Sequence, residues 1–285
     1  MTITTTIHQK LNEIEQSERV RTIMAVESGS RAWGFASPDS DYDVRFIYVR
    51  QIEDYLRLMP LRDVIEWQLD DVYDINGWDL TKALKLLHDS NPVLHEWCNS
   101  PILYRENELA QPFRELATDY FIPKKALFHY IKIAKNNYRQ NLTKDEVRIK
   151  KYFYSLRPIL AARWVAEFKT APPMLFNELA EAELTKELVP VTERLLEAKR
   201  HADEIDTCKR IPELDTYIID QIGELETIAE REENKRNSWD ALEAFFRMAV
   251  CISTKAPYVS GSLLKLISGF PAITPRPEQG TSAIT

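Results

Sequence analysis

The chain has 285 residues, 44% hydrophobic, 10% aromatic and 28% charged, with a formal net charge of −7. That mix can fill at least one full core, and it excludes a disordered, collagen-like or disulfide-scaffold protein. No run approaches the roughly 18 apolar residues of a spanning helix; MTITTTIHQKLNEIEQ lacks the parts of a signal peptide; Cys98, Cys208 and Cys251 have no metal-ligand spacing. The expectation is a reduced, cytoplasmic protein without a membrane partner.

Residues 7–18 read as a helix. IMAVES (23–28), DVRFIYV (43–49), DVIEWQL (63–69) and DVYDIN (71–76) read as strands from their β-branched and aromatic content. Asp79 is placed to cap a helix over 80–88, with Leu80, Ala83, Leu84 and Leu87 on one face. The Asn91-Pro92 step sets another helix start. Residues 78–222 contain no glycine, and helices are predicted near 124–140, 144–169, 176–188, 190–205, 212–234 and 238–252, punctuated by Pro123, Pro172–Pro173 and Pro190. The final stretch, PAITPRPEQGTSAIT, has a disordered composition. The fold class is therefore α+β, a small mixed-sheet domain followed by an all-helical domain. The boundary falls between about 105 and 123, with domains at 1–115 and 116–270 and a tail at 271–285.

Charge is unevenly spread. Residues 1–120 carry 12 basic and 21 acidic side chains, 121–170 carry 12 and 3, and 171–285 carry 13 and 20. A basic block between acidic ones suits a polyanion such as a triphosphate or an RNA end, although acidic neighbours could equally neutralise it.

The segment that carries chemistry runs from Glu27 to Arg45, ESGSRAWGFASPDSDYDVR. Gly29 permits a left-handed turn and close approach of a ligand to the backbone. Ser30 adds a hydroxyl, and a helix starting there would aim free N–H groups at a phosphate. Asp41 and Asp43, two apart on a strand, project to one face. Two carboxylates that close repel one another, and a divalent cation relieves the repulsion. Asp74, with Asp71 behind it, is the candidate third carboxylate of a two-metal site. Gly29-x4-Gly34 is not a P-loop, because Phe35 stands where lysine is required. Asp39-x-Asp41-x-Asp43 is not an EF-hand loop, because Val44 and Arg50 stand where glycine and glutamate are required.

Gly29-Ser30, a ten-residue gap and Asp41-x-Asp43 resemble the signature of the DNA polymerase β-type nucleotidyltransferase superfamily. The longer strings GSRAWGFASPDSDYDVRFIYV, INGWDLTKALKLL, NPVLHEWCNSPILY and KKYFYSLRPILAARW resemble one bacterial and phage branch, the YcgL-like and RNA-repair-associated predicted nucleotidyltransferases. The resemblance is strong over 23–105, good over 124–170 and weak beyond. It implies a polymerase-β-like catalytic domain in 1–115 and a helical nucleotide- and acceptor-binding domain in 116–270. Asp41, Asp43 and Asp74 would bind Mg²⁺ or Mn²⁺ and carry catalysis. Gly29 and Ser30 would grip the phosphates of a nucleoside triphosphate such as ATP. Arg31 and Arg45 would contact phosphate or orient the carboxylates. Lys150, Lys151, Tyr154 and Arg157, on one helix, would lie near the triphosphate, with positions 150, 154 and 157 sharing a face and Lys151 beside it. The expected reaction is NMP transfer to an acceptor hydroxyl, with an RNA 3′ end first and a protein or small molecule second. A silent nucleotide sensor or antitoxin-type partner is the alternative from a different class. Arg194-x6-His201 matches a ribonuclease motif only loosely.

Overall fold

The computed structural model describes residues 2–69, 72–201 and 206–253. Asp71, residues 202–205 of the expected 190–205 helix and the tail at 271–285 lie outside the described residues. Helix α1 (Ile3–Glu18) leads into β1 (Val20–Glu27), the turn α2 (Gly29–Ala32), β2 (Tyr42–Arg50), the turn α3 (Ile52–Tyr55), β3 (Val64–Leu69) and β4 (Tyr73–Asp79). Helices α4 (Leu80–His88) and α5 (Pro92–Cys98) follow, then β5 (Leu103–Glu106) and α6 (Ala110–Asp119). The remainder is helical apart from two short strands. It comprises α7 (Pro123–Asn141), β6 (Glu146–Arg148), α8 (Ile149–Phe168), α9 (Phe176–Glu183), a 3₁₀ turn Lys186–Leu188, α10 (Val189–His201), β7 (Thr207–Lys209), α11 (Pro212–Arg231) and α12 (Asp240–Ser253). The α+β class read from the sequence is the class observed.

The sheet runs β3-β4-β2-β1-β5 and is mixed. β1 pairs antiparallel with β2 and β5, β3 antiparallel with β4, and β2 parallel with β4. Strand alternation divides β2 between two cores. Val44, Phe46 and Tyr48 turn to the side covered by Ile7, Leu11 and Ile14 of α1. Ile47 and Val49 turn to the other side, against α4, α5, α6 and the returning α12. Asp43 and Arg45 share that second side but sit at the end of β2 where it is only half-buried. A site exists there because helix cover stops before the strand does.

Local signals explain the element starts. The Asp79 carboxylate accepts from Thr81 N at 2.8 Å and caps α4. Asn91 accepts from Val93 N at 3.0 Å, with Pro92 opening α5. Thr2 caps α1, which therefore begins at Ile3 and not at residue 7. The helix expected over 144–169 begins at Ile149, because Glu146–Arg148 pairs with Thr207–Lys209. The helix expected over 176–188 ends at Glu183 and resumes as the 3₁₀ turn.

The helical core meets the front loop at Phe35, whose ring lies 5.0 Å from Phe153 and 5.7 Å from Phe176. In the other direction α12 places Leu242 and Phe245 in the front core. Trp239 stacks on His88 at 3.7 Å, and Asn237 donates to the carbonyls of His88 and Tyr120.

His95 on α5 is 2% exposed, and burial pushes its pKa down to about 4. Between the ordinary value of 6.5 and about 4, the unfolded chain binds a proton that the folded chain refuses. Stability is therefore lost as pH falls through that window. By linkage the loss at pH 5 relative to pH 7.5 is about 2 kcal/mol. Buried acids with raised pKa values contribute with the opposite sign, so the comparison is between proteins. Urea unfolding of His95→Leu is expected to lack this component of the slope shown by the wild type.

Candidate active site

β1 delivers Glu27 to the edge of the site, and Ser28 N then donates to Asp43 O at 2.8 Å. Gly29 follows with φ +64°, where a side chain would be strained. A Cβ added at Gly29 would also overlap the Asp43 carboxylate, which would have to shift. The turn continues through Ser30, which is 8% exposed, to Ala32. The first N–H groups of such a turn have no acceptor within it.

Arg31 folds back along the loop. Its Nε donates to Asp41 O at 2.9 Å, its Nη2 donates to Ser40 O, and its guanidinium lies 3.8 Å from the Tyr42 ring centroid. It thereby fixes the backbone that carries Asp41. On the far side of the same loop, the buried Lys199 of α10 donates to Ser37 Oγ at 2.7 Å.

Asp43 and Asp74 are direct partners across the parallel β2–β4 pair. Arg45, two residues along β2, places Nη2 2.8 Å from Asp43 Oδ1 and 2.6 Å from Asp74 Oδ2. Its Nη1 donates to Asp74 O at 2.6 Å and Val44 O at 3.2 Å. Burial pushes the Asp43 carboxyl up to about 6, against the opposing pull of the Arg45 charge, and the Asp41 and Asp74 charges push the same way as burial. Asp41 itself is exposed. Among the described residues, no three His, Cys, Asp or Glu side chains are gathered closely enough to hold a metal ion. The structure thus brings Asp43 and Asp74 together around one cationic group and leaves Asp41 outside that pair. The hard oxygens of the pair suit Mg²⁺ or Mn²⁺, and they already converge on a cation, the guanidinium.

Helix α8 supplies the second half of the arrangement. Tyr154 meets Trp33 edge-on at 5.6 Å, and Lys151 Nζ lies 5.3 Å from the Tyr154 ring centroid. Arg157 lies 4.6 Å from the Trp33 ring centroid, donates to Glu96 Oε1 at 2.9 Å and to Met174 O, and is 3% exposed. Tyr154 and Arg157 meet the loop that follows Gly29-Ser30 through Trp33, and Lys151 lies against the Tyr154 ring. Arg157 is engaged by protein groups, so its place here is beneath the indole. Part of the basic block is likewise neutralised, with Lys125 paired to Asp89, Lys135 to Glu226 and Lys169 to Glu232.

Glu27 was not among the sequence candidates. It is fully buried, accepts from Asp43 N at 2.8 Å and from the Tyr104 hydroxyl, and burial pushes its pKa up to about 7. Its signal in the sequence is an acid directly after the apolar run 23–26 and beside a glycine turn.

A mixed sheet bearing a Gly-Ser turn against paired aspartates on neighbouring parallel strands is the arrangement expected of a polymerase-β-like nucleotidyltransferase. Residues 3–248 match the model of the RNA repair pathway DNA polymerase beta family, and the chain belongs to that family. It is 49% identical over 222 residues to the uncharacterized protein YcgL of Bacillus subtilis (strain 168), covering 76% of this chain and 84% of the relative. A crystal structure of a nucleotidyltransferase-like protein from Exiguobacterium sibiricum 255-15 aligns over 89% of this chain and 82% of its own. The identity is 14% and the TM-score 0.28. Among the described residues, no helix is long and apolar enough to cross a membrane.

Proposed function

We propose that the protein transfers NMP from a nucleoside triphosphate to an acceptor hydroxyl, in the first instance the 3′ end of an RNA. The observation that carries this reading is the juxtaposition of Asp43 and Asp74, in register on parallel strands, against the Gly29-Ser30 turn. The RNA repair pathway family supports the choice of acceptor. In this reading residues 1–115 carry catalysis and 116–270 hold nucleotide and acceptor.

The backbone at Gly29-Ser30 would hold the phosphates, because only glycine lets a ligand and the Asp43 carboxylate both approach position 29. Asp43, Asp74 and Asp41 would hold Mg²⁺ or Mn²⁺, which when bound lowers the pKa of an attacking hydroxyl and offsets charge on departing pyrophosphate. Asp74, the more exposed of the pair at 33% against 23%, is placed to accept the proton of the attacking hydroxyl. Arg31 and Lys199 would keep the Asp41 loop in place. Lys151 and Tyr154 would meet the triphosphate or acceptor from α8, with Arg157 fixing Trp33 between the two halves.

The test is transfer from α-labelled NTPs with Mn²⁺ or Mg²⁺ to a panel of tRNA, DNA oligomers and protein. A parallel RNA arm is oxidised with periodate to destroy its 3′-terminal diol. Label on intact RNA, absent from the oxidised arm, is expected. Label on protein or DNA instead would replace the acceptor. NTP binding with no pyrophosphate release across the panel would replace the enzyme by a nucleotide sensor.

A further inference from the structure

We propose that the Arg45 guanidinium is a built-in counter-ion that sits where a divalent cation would bind between Asp43 and Asp74, so that metal entry and Arg45 departure are one exchange. This rests on the metal-dependent reading above and concerns what that reading leaves open, namely how the carboxylate pair is held before a metal arrives.

The geometry is that of a shared cation. One nitrogen, Nη2, contacts both carboxylates, at 2.8 and 2.6 Å, bridging two strands. The other, Nη1, contacts the backbone oxygens of Asp74 and Val44. Adjacent strands lie only about 4.8 Å apart, so two in-register carboxylates would repel strongly without a positive charge between them. The Arg45 side chain is 18% exposed, so the pairing is not a screened surface contact. Arginine presents a fixed fork of donors, and lysine could not span the same set of acceptors from one position.

A divalent cation and a guanidinium cannot share these oxygens. A divalent cation bridging Oδ1 of Asp43 and Oδ2 of Asp74 would have to lie where Nη2 lies, and the two positive groups would repel at contact distance. The released guanidinium stays tethered on the strand face that carries Asp43, beside the Gly29 turn, where a phosphate can pair with it. Metal alone should therefore bind weakly, and nucleotide should strengthen its binding by giving the displaced arginine a partner.

Mn²⁺ titration calorimetry on the full chain tests the exchange, with wild type, Arg45→Met and Arg45→Lys compared. Arg45→Met is expected to bind Mn²⁺ roughly tenfold more tightly, equivalent to about 1.4 kcal/mol, with Arg45→Lys in between. In EDTA, Arg45→Met should melt below the wild type, and Mn²⁺ should raise its Tm more. A direct readout on the wild type is the Arg45 Nε–H resonance, assigned by its loss in Arg45→Lys, which should shift on adding Mg²⁺. That measurement decides the matter even where Arg45→Met fails to fold. Mn²⁺ binding by folded Arg45→Met no tighter than wild type, or an Arg45 resonance unmoved at saturating Mg²⁺, overturns the exchange and leaves the metal-dependent reading intact. Absence of Mn²⁺ binding by all three proteins overturns both.

Discussion

Asp43→Asn is expected to lower NMP transfer roughly a thousandfold, the equivalent of about 4 kcal/mol of lost transition-state stabilisation. Asparagine keeps the shape of the side chain, so the packing against Gly29 survives. What disappears is the negative charge that the proposed chemistry requires beside Asp74. The fold should tolerate the change. Asp43 is a desolvated acid whose pKa is pushed up to about 6, and neutralising it removes the desolvation penalty while Arg45 keeps Asp74 and two backbone carbonyls. A stability change within about 1 kcal/mol follows from these opposing terms. Asp74→Asn should lower transfer comparably, because the pair acts as a unit and losses within such a unit do not add. Single-turnover transfer rates, with far-UV circular dichroism and melting on the same preparations, provide the measurement. Activity within tenfold of wild type in folded Asp43→Asn would remove this pair from the chemistry.

Asp43 and the start of α4 were legible from local rules. Alternation along a strand predicts Asp41 and Asp43 on one face, but β2 begins at Tyr42, so Arg45 shares the face of Asp43 instead, while an aspartate before an apolar-periodic run caps α4 where Asp79 stands. The pairing of Asp43 with Asp74 needed the parallel register of β2 with β4, which spacing alone does not give. Three further features were hidden by distance in the chain. Glu146–Arg148 is a charged stretch that looks like the first turn of a helix, and only its partner 207–209 makes it a strand. Glu27 becomes part of the site through Tyr104 and the Asp43 N–H, each remote in sequence. The resemblance implies for Arg31 a phosphate contact or an orienting role and for Arg157 a place near the triphosphate, and a planar guanidinium also satisfies protein carbonyls. In the structure Arg31 takes those of Ser40 and Asp41, and Arg157 takes that of Met174.

Arg157→Met is expected to destabilise the protein by about 3–5 kcal/mol, the cost of leaving one member of a buried ion pair alone. Arg157 is 3% exposed and Glu96 12%. The Glu96 carboxylate would keep only the Tyr130 hydroxyl, at 3.0 Å, as a described hydrogen-bond donor. Arg157→Met with Glu96→Leu should recover part of that loss, since an apolar pair of similar volume needs no desolvated charge. The two variants are expected to separate in function. Stability returns in the double mutant, but the cation against Trp33 does not, and with it goes one of the contacts, beside Tyr154 on Trp33 and Phe153 on Phe35, that tie α8 to the loop leaving Gly29-Ser30. Transfer should therefore remain depressed in a protein that denaturant titration reports as largely restored. Recovery of transfer in step with stability would instead assign Arg157 to the core alone. A loss below about 1 kcal/mol in Arg157→Met would place the pair among exposed contacts of little weight.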